Sequence, residues 1–190
     1  MNSLLTDQFA FRPTGSTSAA IISILHHTQH ILKTNECVSI ISLDFSKAFD
    51  SVKHSSLFNK ISTLEIPDEI YNWLIEYHLE RSHLTIFKGL SSQLLHINAS
   101  IVQGSVLGPT DFSITASDLH PSQPLNIMVK YADDTYLLTG SSQAHSIPSK
   151  LISISMWASA NNLSLNSSKS KEMIIFRPRI KHPHPSLYLI

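Results

Sequence analysis

Apolar positions along this chain repeat with two spacings. After the turn signal Arg12-Pro13-Thr14-Gly15, the residues Ala19, Ala20, Ile24, Leu25, Ile31 and Leu32 recur at helical spacing. Ser16 or Thr17 can cap the helix they define, which is expected to end near Leu32. The run VSIISL over 38–43 is short, apolar and β-branched, the pattern of a buried strand, and it delivers Asp44 at its end. Helical spacing returns over 52–64 and over 67–79, the second opening with Pro67, Asp68 and Glu69 as first-turn residues. Segments 84–88 and 94–97 flank a Gly-Leu-Ser-Ser turn and predict a hairpin. A helix is expected over 110–119 after Gly108-Pro109, and strand-like runs over 126–130 and 135–139 enclose Tyr131-Ala132-Asp133-Asp134. A helix over 146–161 and a strand over 173–176 complete the pattern, and Trp73, Tyr77 and Trp157, at helical positions, are expected in the core. Residues 177–190, rich in Pro, His and Lys, show no periodicity. Separate strands, a hairpin and several helices predict an α+β fold.

Composition adds bounds. At 190 residues with 42% apolar and 15% charged side chains, the chain suits one domain, or one and part of another, with a real core. Its 14 Lys and Arg against 14 Asp and Glu argue mildly against a strongly basic nucleic-acid surface. The 11 histidines are mostly neutral at pH 7. Cys37 stands alone, so neither an internal disulfide nor a cysteine-based zinc site is expected, which suits a reducing compartment. The first residues lack the features of a signal peptide, and no apolar run is long enough for a membrane span. Composition therefore leads to the expectation of an intracellular protein, in cytoplasm or nucleus, without a membrane.

The candidate chemistry is carboxylate chemistry. Asp44 follows one strand directly and Asp133-Asp134 sits within a second β run. Two such strands side by side would gather three carboxylates, which repel unless a cation joins them, and hard divalent ions prefer oxygen donors. Two such ions can activate an attacking hydroxyl and steady the leaving oxygen in phosphoryl transfer. Each piece also has an ordinary reading: an Asp-Asp pair as a solvated hairpin tip, and Asp44 as a cap for the segment after it. His26 and His30, one helical turn apart, are another candidate metal pair, with exposed structural histidines as the alternative.

Read in order, the motifs resemble the reverse transcriptases of LINE-type (non-LTR) retrotransposons. Leu43-Asp44-Phe45-Ser46-Lys47-Ala48-Phe49-Asp50 is similar to that family's first palm motif, Gln103-Gly104-Ser105-Val106-Leu107-Gly108-Pro109 to its second, and Tyr131-Ala132-Asp133-Asp134 to its third. Asn162-Leu163-Ser164-Leu165-Asn166 with Lys169-Ser170-Lys171 resembles the fourth, and Gln8-Phe9-Ala10-Phe11-Arg12-Pro13 resembles the fingers segment ahead of the first. The resemblance covers residues 7–176. It implies a polymerase palm, a small antiparallel sheet packed by helices, with a partial fingers region and no thumb. The domain would span 1–176, with 177–190 as a tail.

The activity implied is RNA-directed DNA synthesis from deoxynucleoside triphosphates on an RNA template, with a DNA primer and two Mg²⁺ ions, Mn²⁺ being an alternative. Asp44, Asp133 and Asp134 would hold the ions, and the Phe45 carbonyl would complete one coordination sphere. Phe49 falls where the family places an aromatic gate against a ribose 2′-OH, core packing being its other reading. Asp50 reads as a structural hydrogen-bonding or capping residue. Gln103 and Gly104 would lie against nucleotide and template, or form a plain loop. Lys169 matches the lysine that protonates or steadies the leaving pyrophosphate, with Lys171 a close alternative, and Arg12 would touch template or hold the fingers turn.

The chain also departs from the family. Val102 precedes Gln103 where many relatives carry Pro, and segment 112–119 differs in wording. The resemblance further implies that earlier fingers motifs, primer grip and thumb are missing, so little activity is expected from this chain by itself. A decayed or co-opted palm that binds nucleic acid weakly is the competing reading.

Overall fold

The computed structural model describes residues 5–121 and 126–178. Helix α1, Thr17–Leu32, starts where Ser16 accepts a hydrogen bond from the Ala19 N–H, the expected cap. Four antiparallel strands follow: β1 Cys37–Leu43, β6 Ile127–Tyr131, β7 Asp134–Gly140 and β8 Lys171–Phe176. They form one sheet in the order β6-β7-β1-β8. The expected α+β class is therefore observed.

Both faces of the sheet are covered, and the side-chain alternation of a strand shows how. Val38 and Ile40 of β1, Val129 of β6 and Leu138 of β7 share a cluster with Ala20 and Ile31 of α1. Ile41, Leu43, Met128 and Leu137 point to the opposite face. There they meet Leu57 and Ile61 of α3 (His54–Ile61), Phe112 and Ile114 of α5 (Gly108–Thr115) and Ile154 and Ala158 of α6 (Ile147–Ala160). Burial on both sides explains why apolar residues of β1 fall on both faces of the strand rather than on one.

Several boundaries differ from the sequence-based expectation, each for a tertiary reason. The helix expected over 52–64 is shorter, running only over His54–Ile61. A short α2, Ala48–Ser51, and α3 are separated by extended Val52 and Lys53. There the Val52 carbonyl accepts the Ser100 N–H at 2.8 Å and the Asn98 carbonyl accepts the His54 N–H at 3.0 Å. Helix α5 ends at Thr115, short of 119, and a 3-10 turn, Ser141–Ser146, precedes α6. The hairpin is present with a tighter tip than expected. β3 (Ile86–Phe87) pairs with β4 (Leu90–Ser91) around Lys88 and Gly89, both at positive φ, and β2 (Ser82–His83) pairs with β5 (Leu95–His96). Two positive-φ residues make the two-residue turn whose twist suits a hairpin, so the chain reverses at Lys88-Gly89 and not over Gly89–Ser92. Helix α4, Asp68–His78, carries a further correction: Trp73 is 52% exposed, not core. Among the described residues α4 packs mainly on α3, so only one side of it is covered. Trp157 is half-buried against the core, as expected, and its indole N–H donates to Asp118 at 2.8 Å. Residues 179–190 of the expected tail lie outside the described residues.

The N-terminal arm is tied to the sheet through Lys130. Gln8 bridges Lys130 in parallel, the Lys130 N–H donates to the Asp7 carbonyl at 2.7 Å and the Phe9 N–H donates to the Lys130 carbonyl at 2.8 Å. The Lys130 side chain, 1% exposed, forms an ion pair with Asp7 at 3.0 Å and donates to the Ala116 and Leu119 carbonyls beyond α5. Burial pushes its ammonium below the ordinary lysine range, and the Asp7 charge opposes that shift. One cation thus joins the arm, β6 and the end of α5. Removing one member of a buried pair leaves the other charge uncompensated. We expect Lys130→Met to lower the unfolding free energy by about 3 kcal/mol in urea titration, and Asp7→Asn in the same chain to recover part of that loss. An unchanged midpoint in Lys130→Met would show that the pair holds nothing together.

Candidate active site

The β1–β7 register runs from Val38↔Gly140 to Leu43↔Thr135. One step further along each strand, Asp44 comes abreast of Asp134. Strands β6 and β7 close at Tyr131↔Asp134, so Ala132 and Asp133 form a two-residue turn at the same rim. The three carboxylates of the first and third motifs therefore share one end of the sheet. Burial and, after it, the charges of Asp133 and Asp44 push the Asp134 carboxyl above the ordinary aspartate range.

Asp44 is held from the other side of β1. Phe45 pairs with Leu165 in an isolated antiparallel bridge, the Asn166 N–H donates to the Asp44 carbonyl at 2.8 Å, and the Ser46 N–H donates to the Ser164 carbonyl at 2.8 Å. The Ser170 hydroxyl accepts the Asp44 N–H at 3.2 Å and donates to the Asn166 carbonyl at 2.9 Å. The fourth motif is thus the splint of the first. In this bridge the Phe45 carbonyl accepts no hydrogen bond among the described residues, while its ring is buried edge-on to Trp157.

Other expected site residues divide into two groups. Half-buried Phe49 stacks on Phe112 with centroids 4.6 Å apart, and its carbonyl accepts the Ile101 N–H at 2.8 Å. The Gln103 amide donates to Asp50 at 2.8 Å, which ties the second motif to the first. Gly104 has φ +82, and a Cβ there would meet nothing within 4 Å, so glycine serves backbone conformation and no neighbour in this chain crowds it. Arg12 and Lys169 make no bond to the carboxylates. Arg12 donates to the Leu5 and Gln8 carbonyls at 2.6 and 3.1 Å, and Lys169 is exposed with no side-chain partner among the described residues. Lys171 donates to the Ser168 carbonyl at 3.1 Å.

Two contributors were not singled out from sequence. Ser170 was read only as part of a motif, and buried Gln8, whose side chain bonds to the backbone of Ala132, only as part of the fingers segment. Hydrogen bonds over such separations leave no local pattern to read.

The donors suit a hard divalent cation. The Asp44 Oδ2 atom is buried without a hydrogen-bond partner, and Asp134 is destabilised as an anion by burial and then by its acidic neighbours, a penalty that a cation would relieve. Among the described residues, however, no three His, Cys, Asp or Glu side chains converge closely enough to share an ion, neither at this rim nor around His26 and His30. The backbone brings the three carboxylates to one rim, and their side chains stand apart there.

The fold matches that of solved telomerase structures. The structure of telomerase from Candida tropicalis in complex with a TWJ fragment of telomeric RNA matches with a TM-score of 0.71, covering 90% of this chain and 30% of that one. Telomerase from Candida albicans matches with a TM-score of 0.58 over 95% of this chain and 32% of that one. Identities of 15% and 14% make these likenesses of fold alone. Residues 1–189 match the family described as reverse transcriptase (RNA-dependent DNA polymerase), and the chain belongs to that family. The RNA-directed DNA polymerase from mobile element jockey of Drosophila melanogaster is 30% identical over 173 residues, 85% of this chain and 19% of that protein. The probable RNA-directed DNA polymerase from transposon X-element of the same fly is 29% identical, over 94% of this chain and 20% of that protein. The chain thus spans about a fifth of the length of these curated relatives. No helix among the described residues is long and apolar enough to cross a membrane.

The raised Asp134 carboxyl has a consequence for stability. Its proton is held more tightly in the folded chain, so ionisation costs stability as pH rises above the ordinary aspartate value, and the cost is absent in acid where the group is protonated in both states. We expect Asp134→Asn to stabilise the metal-free chain at pH 7 by a fraction of a kcal/mol, about 0.5 after solvent screening, and to lose that advantage near pH 3. Thermal melts at the two pH values test this, and an equal effect at both would exclude a cost of ionising Asp134.

Proposed function

We propose that this chain carries the polymerase palm of a non-LTR retrotransposon reverse transcriptase, with part of the fingers, and that its carboxylate rim performs two-metal nucleotidyl transfer. The observation that carries this reading is the register that sets Asp44 abreast of Asp134 beside the Asp133 turn. Asp44, Asp133 and Asp134, with the Phe45 carbonyl, would hold two Mg²⁺ ions, or Mn²⁺ in their place. When bound, the ions lower the barrier to attack by a primer 3′-hydroxyl and steady the charge on the leaving pyrophosphate.

The remaining roles belong to the chain's own side chains. The Phe49 ring, braced by Phe112, crowds a ribose 2′-OH and so favours deoxynucleotides. Gln103 and the open backbone at Gly104 lie against nucleotide and template, and Asp50 orients the Gln103 amide. The unengaged Lys169 ammonium serves the leaving pyrophosphate. For Arg12, the bonds to the Leu5 and Gln8 carbonyls favour holding the fingers turn over touching template. An RNA template, a DNA primer and deoxynucleoside triphosphates are the partners, in an intracellular setting. The second reading, a palm remnant that binds nucleic acid weakly, draws on the three carboxylates standing apart and on the even charge balance.

Dependence of dNTP incorporation on Mg²⁺, measured with poly(rA)/oligo(dT), separates the two. Positioning supplies much of the rate in such reactions, so we expect weak incorporation from a chain spanning a fifth of its relatives' length. The double variant Asp133→Asn/Asp134→Asn should lower it by about 100-fold or more. Incorporation that survives in the double variant would overturn the catalytic assignment. A folded chain with no incorporation would favour the remnant.

A further inference from the structure

We propose that Gln8 is a positioning residue for the carboxylate turn, holding Ala132 in the conformation that decides where Asp133 and Asp134 sit. The inference rests on the metal-binding reading of that turn. Gln8 is 1% exposed, and its side chain reaches across 124 residues of sequence to both backbone groups of Ala132. Its Oε1 accepts the N–H groups of Ala132 and Ala10, each at 3.0 Å, and its Nε2 donates to the Ala132 carbonyl at 3.3 Å. Two N–H donors at one end identify which end of the amide is oxygen.

The turn needs this support because of its own sequence. Ala132 has φ 55, in the left-handed region, whereas Asp133 does not have positive φ. A two-residue hairpin loop with positive φ only at its first position ordinarily has glycine there, since a Cβ disfavours that conformation. Here the position is occupied by alanine. Local turn chemistry is therefore insufficient, and the missing preference is supplied by a buried amide that satisfies both Ala132 backbone groups at once. The amide itself is firmly mounted, because the Gln8 backbone is bridged to Lys130 on β6 and flanked by the Asp7 and Phe9 hydrogen bonds. Asp44 is held separately, through Ser170 and Asn166. Losing Gln8 then lets Asp133 and Asp134 shift relative to an Asp44 that stays in place.

Mn²⁺ titration of the whole chain, followed by electron paramagnetic resonance and paired with thermal melts, tests the role. Gln8→Met keeps the volume and removes all three hydrogen bonds. We expect a folded variant that binds Mn²⁺ about 10-fold more weakly, the scale on which groups behind metal ligands act. Adding Ala132→Gly should restore most of the affinity, because glycine takes the left-handed conformation freely. A purely structural role would lower the melting temperature and leave Mn²⁺ affinity alone. Wild-type affinity in folded Gln8→Met, or a weakening that Ala132→Gly does not repair, would overturn the proposal. If Gln8→Met does not fold, Gln8→Asn, which draws the amide back by one methylene, is judged by the same two outcomes. Wild-type chain that binds Mn²⁺ no better than Asp133→Asn would overturn the metal reading itself and this inference with it.

Discussion

Pairing Leu43 with Thr135 across β1 and β7 sends two strands to the same rim, each carrying an acidic residue there. Like charges so placed repel, and burial first, then the charges of Asp133 and Asp44, hold the Asp134 carboxyl above the ordinary aspartate range. The register itself is not adjustable. A shift of one residue would turn Ile41 and Leu43 out of the larger core and set polar Ser42 toward it in their place. Burial of the sheet on both faces therefore enforces a juxtaposition that electrostatics alone would oppose, and much of the remaining structure serves to hold it.

The holding is done by backbone and by neutral side chains. The loop after β1 is splinted by segment 164–166 and by Ser170, and the β6–β7 turn is gripped by Gln8. Neither device adds charge to the rim, so neither competes with a cation for the carboxylates. The cation among these supports, Lys130, is directed the other way, to Asp7 and to the carbonyls beyond α5. Its burial is costly, and the shift of its ammonium away from the charged form measures that cost. What it secures is the seating of the N-terminal arm, on which Gln8 depends.

Much of the fold was legible in the chain. The Ser16 cap, the apolar stripe of α1 and the β-branched run of β1 are local signals, and local physics decided them. The reading failed where a distant segment intervened. The helix expected over 52–64 starts only at His54 because Val52 and His54 hydrogen-bond to residues 98–100. Trp73 is exposed because so little packs on α4, which the helical spacing of its apolar residues could not reveal. At the site, Asp44, Asp133 and Asp134 were identified by residue type and by their place at strand ends, and motif order tied them together. Their supports were not identified, since Gln8 and Ser170 act through hydrogen bonds spanning 124 and 126 residues.

The sequence by itself determined most of the elements and set acidic residues at two strand ends, because capping, periodicity and β-branching act within a few residues. Its ordered motifs also pointed to the family. Only the tertiary structure decided that the three carboxylates share one rim, since that follows from strand order and register and from burial on both faces of the sheet. It also decided that an alanine adopts a conformation usually left to glycine, since the amide that compensates comes from the far end of the chain.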